Sequence, residues 1–149
     1  MPGRTDAYRG KQRSSWPPLL WLPIAFFLFL IIGALRHELP REFPIAYLTS
    51  SVVTAVIYRR DKAKAERGEW RTPEATLHLL DLLCGWPGGL VAQQVWRHKT
   101  RKLSFQFIFW LGTVMHLVFW GWVFVNLPAE SDLGAFIERV LRVLKHRSA

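Results

Sequence analysis

Cysteine is almost absent from this sequence, with Cys84 alone among 149 residues. A single thiol excludes an internal disulfide and any CxxC metal or redox motif, which leaves Cys84 as a small packing residue. Acidic residues are scarce as well: eleven against twenty Lys and Arg, for a net charge of +9. No Walker A, dinucleotide-binding glycine fingerprint, nucleophile elbow or HExxH motif is present, so the common nucleotide-binding, serine-hydrolase and zinc-protease chemistries lack their signatures. There is no internal repeat and no low-complexity tract.

Apolar and aromatic residues are abundant. Half of the chain is hydrophobic, including eight Trp and ten Phe, a load that a soluble domain of this length rarely carries. Polar segments at both ends and in the middle keep the mean hydropathy only slightly positive, so the local runs decide the class. The positive charge is clustered in residues 1–15, 59–71 and 97–102. Beside hydrophobic runs, such clusters reflect the positive-inside bias and attraction to anionic lipid rather than nucleic acid.

Residues 19–35 carry no charge and form the first expected membrane helix, with Trp16 and Trp21 at its entrance. The basic residues Arg4, Arg9, Lys11 and Arg13 ahead of it resemble a secretory signal. The run is longer than the usual signal core of about 7 to 15 residues, and Arg36-His37-Glu38 offers no small-x-small cleavage pattern. An uncleaved anchor is therefore expected. Residues 36–42 suit a turn, and residues 43–58 a second span whose Thr49, Ser50, Ser51 and Thr54 fit close helix packing in lipid. Six Lys or Arg and three acids in 58–71 read as a hydrated loop on the same side as the basic N-terminus.

Thr72-Pro73-Glu74 reads as a helix start, with threonine capping, proline in the first turn and glutamate complementing the dipole. The segment that follows, to Trp96, is interrupted by Gly85, Pro87, Gly88 and Gly89. It reads either as one kinked span of about 36 Å or as two short helices that enter the membrane and return, with their non-helical backbone covered by protein. Charge counting favours the return. Four Lys or Arg lie in either candidate inner segment, but Arg97, Lys99, Arg101 and Lys102 directly abut the next helix, whereas the C-terminal ones begin twelve residues past Leu127. Residues 105–127 form the strongest span, and residues 132–146 an amphipathic helix for the interface or a partner.

The expected fold is an all-α membrane protein: three transmembrane helices, a Gly/Pro-broken re-entrant segment (four transmembrane helices being the alternative) and a C-terminal amphipathic helix. The corresponding divisions are a basic cytoplasmic tail at 1–15, a helical membrane domain at 16–127 and the terminal helix within 128–149.

Several motifs occur in order: Tyr58-x-x-Asp61-Lys62, Trp70-Arg71-Thr72-Pro73-Glu74, Leu77, Gly85, Gly88-Gly89 and His98-Lys99-Thr100-x-Lys102-x-x-Phe105. Together they make residues of about 52–125 resemble the DUF1294 family of small bacterial membrane proteins, with Thr72 standing where an aliphatic residue is usual. The resemblance implies a protein of the bacterial cytoplasmic membrane, and the basic tail and the basic segment 58–71 place the N-terminus of this multi-pass chain inside. The nucleic-acid-binding cold-shock domain of some members has no counterpart here, so no nucleic-acid partner is expected. The family carries no biochemistry to transfer.

Glu74, His78, Asp81 and Gly85 are spaced to share a helix stripe about 60° wide. This places two carboxylates and an imidazole on one face, in reach of a hard metal ion or of acid–base work on a headgroup. Structural pairing is the competing reading, and no catalytic residue, metal or cofactor is assigned. Asp61, Lys62, Arg71, His98, Lys99, Arg101 and Lys102 are the candidates for binding anions or lipid at the inner boundary. In the re-entrant arrangement they gather into one cluster with Glu74. His116, in the middle of the last span, suits a hydrogen bond to a neighbouring helix.

Two functions from different classes follow. One is a non-enzymatic module binding anionic lipid or a membrane partner, including a second copy of the chain. The other is a small membrane enzyme acting on a lipid-linked substrate through Glu74, His78 and Asp81.

Overall fold

The computed structural model describes residues 19–70, 72–96, 102–126 and 132–147. Within them the chain is all helical: α1 (Trp21–Leu35), α2 (Glu42–Glu66), α3 (Glu74–Leu80), a wide turn (Asp81–Gly85), α4 (Trp86–Trp96), α5 (Leu103–Asn126) and α6 (Leu133–Arg147).

α1 packs inward through Pro23, Phe26, Leu30 and Gly33, a 3–4 spacing that defines one face. Its end is closed by Glu38 N–H donating to the Gly33 carbonyl at 2.9 Å, with His37 at φ 58. The chain can then fold Leu39 onto Gly33, where a Cβ would meet the leucine side chain.

α2 carries the organisation of the molecule. Its buried face is Tyr47, Ser51, Thr54, Tyr58 and Asp61, spaced 4, 3, 4 and 3, which is a seam along one side of a helix. The outward face is Ile45, Leu48, Val52 and Val56, all well exposed. The hydroxyls face in and the aliphatics face out, the inverse of a helix on a soluble protein. That arrangement is stable where the surroundings are hydrocarbon.

Past Tyr58, α2 continues for two further turns instead of becoming a loop. Lys62 and Glu66 pair at 3.5 Å across one turn, and Ala63, Lys64 and Ala65 are good helix formers. The helix stops at Gly68, whose φ of 69 suits glycine. Glu69 N–H reaches the Lys64 carbonyl at 3.0 Å and Gly68 N–H that of Ala65 at 3.4 Å, the Schellman pattern.

The start of α3 also differs in detail from the expected one. Pro73 is extended, with ψ 137, and stands just before the helix. Its carbonyl accepts from Thr76 N–H at 3.0 Å. Thr72 contributes its backbone N–H, which donates to Asp61 Oδ1 at 2.7 Å.

The glycine-rich interruption reverses the chain. Leu83 has ψ 47 and Cys84 has φ 68, both outside helical geometry. Asp81 Oδ1 occupies the position that a Cβ on Gly89 would need. In a continuous helix residues 81 and 89 would be about 12 Å apart along the axis, so α3 and α4 lie side by side. Both ends of the segment meet α2 at neighbouring residues: Thr72 at Asp61, as above, and the Trp96 carbonyl at Lys62 Nζ, 2.9 Å. Arg59 also lies over the Trp96 ring, 5.9 Å from its centroid.

α5 runs antiparallel to α2. Phe105 meets Tyr58 with ring centroids 6.2 Å apart, His116 meets Tyr47 at 5.7 Å, and Trp120 meets Phe43 at 4.9 Å. α6 is anchored by Phe136, edge-on to Phe43 at 5.1 Å. Glu74–Trp96 and Leu103–Asn126 are apolar and long enough to cross a membrane by length and composition, although the first folds back at its middle, and α1 is a shorter apolar helix. Together with the lipophilic outer face of α2, these mark the chain as membrane-associated.

Candidate functional site

Polar side chains inside the helical body fall into three groups along α2. At the foot of the hairpin, Asp61 is fully buried and holds the Thr72 N–H. Lys62 holds the Trp96 carbonyl, and Lys102 donates to Glu74 Oε2 at 2.6 Å. The last pair is half-exposed, so it contributes at most about 1 kcal/mol. Its value is positional: it ties the start of α3 to the start of α5.

One to two turns deeper, Tyr58 donates its hydroxyl to Asp81 Oδ2 at 2.6 Å. The Gln93 side chain lies beside the same hydroxyl, and Gln106 Nε2 donates to Gln93 Oε1 at 2.6 Å. Four helical pieces thus converge on one buried polar knot: α2 through Tyr58, the hairpin turn through Asp81, α4 through Gln93 and α5 through Gln106. Ser51 and Thr54, also buried on α2, face the glycines at the end of the turn and the start of α4. Gly88 lies against the Ser51 backbone and Gly85 against Thr54 Oγ1. These glycines allow backbone to approach backbone, the close packing that holds helices together in lipid.

The third group surrounds the helix break. The Leu82 carbonyl, released by the turn, is taken by His116 Nε2 at 3.0 Å. A carbonyl can only accept, so Nε2 carries the proton and Nδ1 accepts from the Tyr47 hydroxyl at 2.7 Å. Trp120 Nε1 in turn donates to the Tyr47 oxygen at 2.9 Å. The chain is consistent throughout with a neutral imidazole. His116 thus makes the interhelical hydrogen bond expected of it, and satisfies backbone that would otherwise face hydrocarbon unpaired. Phe43, Tyr47, Cys84, Met115 and His116 contribute to the wall of a cavity of about 280 Å³ at this break.

The side chains of the stripe Glu74, His78 and Asp81 meet different partners. Glu74 pairs with Lys102, His78 stacks on Phe105 at 4.3 Å, and Asp81 faces Tyr58. The three precede the reversal and lie one turn apart along the same face, so each meets a different neighbour, and no group of three His, Cys, Asp or Glu able to hold a metal occurs among the described residues. Of the anion-binding candidates, Asp61, Lys62 and Lys102 come to the hairpin foot, while Arg71, His98, Lys99 and Arg101 lie outside the described residues. Gly85, Pro87, Gly88 and Gly89 are all buried at the turn and the start of α4.

Sequence reasoning missed the Tyr58–Asp81–Gln93–Gln106 knot and the role of Tyr47. The signal was present in the polar residues 51, 54, 58 and 61, which recur at helical spacing along an otherwise aliphatic run. Their common face gains meaning only once the hairpin lies on it.

No curated protein and no solved structure matches the chain. The motif order, the glycine-lined hairpin and the polar foot all fall within or next to residues 51–105, which match the family model described as "Protein of unknown function (DUF1294)". The chain belongs to the DUF1294 family through that segment.

Proposed function

We propose that the protein is a multi-pass module of the bacterial cytoplasmic membrane that holds anionic lipid headgroups at its cytoplasmic end. In this reading α1, α2 and α5 span the bilayer, and α3 and α4 dip in from the cytoplasmic side and return to it. The N-terminus is cytoplasmic, and α6 rests on the opposite surface. The observation that carries the proposal is that Asp61 and Lys62, adjacent on α2, bind the two ends of residues 72–96.

This supports placing the basic sequences 59–67 and 97–102 at one end of the molecule. The local acids are already engaged there: Asp61 with Thr72, Glu66 with Lys62 and Glu74 with Lys102. Cations outnumber the acids available to them, which favours phosphate-bearing lipid. An enzyme acting on a lipid-linked substrate is the second reading, favoured by the buried Tyr58–Asp81 pair.

The test is titration of the purified protein in neutral detergent with phosphatidylglycerol or phosphatidylcholine, read by native mass spectrometry. Phosphatidylglycerol should bind preferentially, and the preference should fall with salt. It should also fall in Lys99→Gln/Arg101→Gln and survive in Lys99→Arg. Equal binding of both lipids, or a preference unchanged in the double variant, would overturn the proposal.

A further inference from the structure

Asp81 plays no part in the lipid-binding reading above, and its surroundings are unusual. It is 4% exposed. One oxygen accepts from Tyr58 at 2.6 Å. The other lies against Gly89 and has no hydrogen-bond partner among the described residues. Nor does Asp81 form an ion pair among them. From α2 it meets Tyr58, with Asp61 three residues further along. On its own strand of the hairpin, His78 is turned onto Phe105 and Glu74 is held by Lys102. α4 supplies Gly89 and Gln93, and α5 supplies Phe105, Phe109 and Gln106, none of them charged.

A carboxylate with a single donor is poorly compensated in a membrane interior. Two kinds of partner would restore the balance. A metal cation needs several oxygen ligands around it, whereas a proton needs only the one free oxygen. The donor set favours the proton.

We infer that Asp81 is an exchangeable proton-binding site in the core of the membrane domain, set among the uncharged polar side chains of Tyr58, Gln93 and Gln106. The proton adds to Oδ1, converting carboxylate to carboxylic acid, while Tyr58 keeps its hydroxyl proton and continues to donate to Oδ2. Tyr58, Gln93 and Gln106 lie on the side of Asp81 nearer the foot. Gln106 begins one turn after Lys102, its N–H bonded to the Lys102 carbonyl at 3.0 Å, and the Lys102–Glu74 pair there is half-exposed. Gly89 gives the carboxyl room between the two arms, so gain and loss of charge occur where α3 and α4 face each other. This inference rests on the membrane placement of the hairpin and is independent of lipid binding at its foot.

The test is infrared difference spectroscopy of the protein in liposomes as pH is stepped across the range in which it stays folded. The carboxylic-acid C=O absorption that grows on acidification and vanishes on return should contain a component that Asp81→Asn lacks. Tyr58→Phe keeps the carboxyl but removes the hydrogen bond, so that component should persist at a shifted frequency. This keeps the inference testable if the asparagine variant fails to fold. Replacing sodium with N-methylglucamine should change nothing. Identical difference spectra for wild type and Asp81→Asn, no shift in Tyr58→Phe, or a band that follows sodium rather than pH would each overturn the inference.

Discussion

Gly88 lies directly on the backbone of Ser51, so close that a Cβ at position 88 would overlap the Ser51 carbonyl group. Backbone cannot move aside as the end of a flexible side chain can. Gly88→Ala should therefore separate α4 from α2 and cost about 3 kcal/mol or more, the upper end for overpacking. Gly112→Ala and Gly121→Ala are the controls, since nothing lies within 4 Å of either added methyl. Both should be neutral or slightly stabilising, because alanine favours helix. Thermal unfolding in detergent distinguishes these outcomes, and an unchanged midpoint for Gly88→Ala would refute the close approach.

Cys84 has φ 68 without being glycine, a conformation that costs an ordinary residue about 1 to 2 kcal/mol. Cys84→Gly should consequently be more stable than Cys84→Ala by about 1 kcal/mol, although both lose the same thiol. If alanine were the better substitute, the turn would have to adopt another backbone geometry.

The chain from Trp120 through Tyr47 and His116 to the Leu82 carbonyl predicts non-additive substitutions. His116→Ala strands the released carbonyl, at a cost of about 1 to 3 kcal/mol, and Tyr47→Phe removes both the donor to His116 and the acceptor for Trp120. The double variant should be less destabilised than the sum by about 0.5 kcal/mol or more, as expected of residues in one network. Strict additivity in a double-mutant cycle would mean that the two side chains act independently.

The placement of the hairpin can be tested with the single native cysteine removed. In a Cys84→Ser background, Thr100→Cys should be protected from a membrane-impermeant maleimide in intact cells and labelled after lysis. Arg41→Cys, in the link between α1 and α2, should react in intact cells. Labelling of position 100 from outside would instead mean four full spans, and the gathering of basic segments at one inner end would have to be abandoned.

Much of this architecture is legible in the chain itself. Uncharged runs, tryptophans near their ends and clustered Lys and Arg identify a membrane protein, because hydrocarbon excludes charge irrespective of how the helices pack. The cluster Gly85, Pro87, Gly88 and Gly89 marks a broken helix, because those residues propagate one poorly. The motif order from Tyr58 to Phe105 was enough to recognise the family. The end of the second helix was harder to locate, since the charges after Tyr58 look like loop while the alanines and the Lys62–Glu66 pair sustain helix to Gly68.

Only the tertiary structure decided what the polar residues do. Helical spacing correctly put Glu74, His78 and Asp81 on one side of a helix, but spacing assumes that the helix continues and says nothing of what lies opposite. The three precede the reversal and, one turn apart, each meets a different neighbour; the reversal at Leu83 and Cys84 set Gly89 of α4 against Asp81. It also brought Gln93 beside Tyr58, from 35 positions further along the chain. Local sequence determines where a chain can be apolar, helical or broken, because those preferences arise within a few residues. Which oxygen meets which donor depends on contacts between segments far apart in sequence, and those exist only once α2, the hairpin and α5 have packed together.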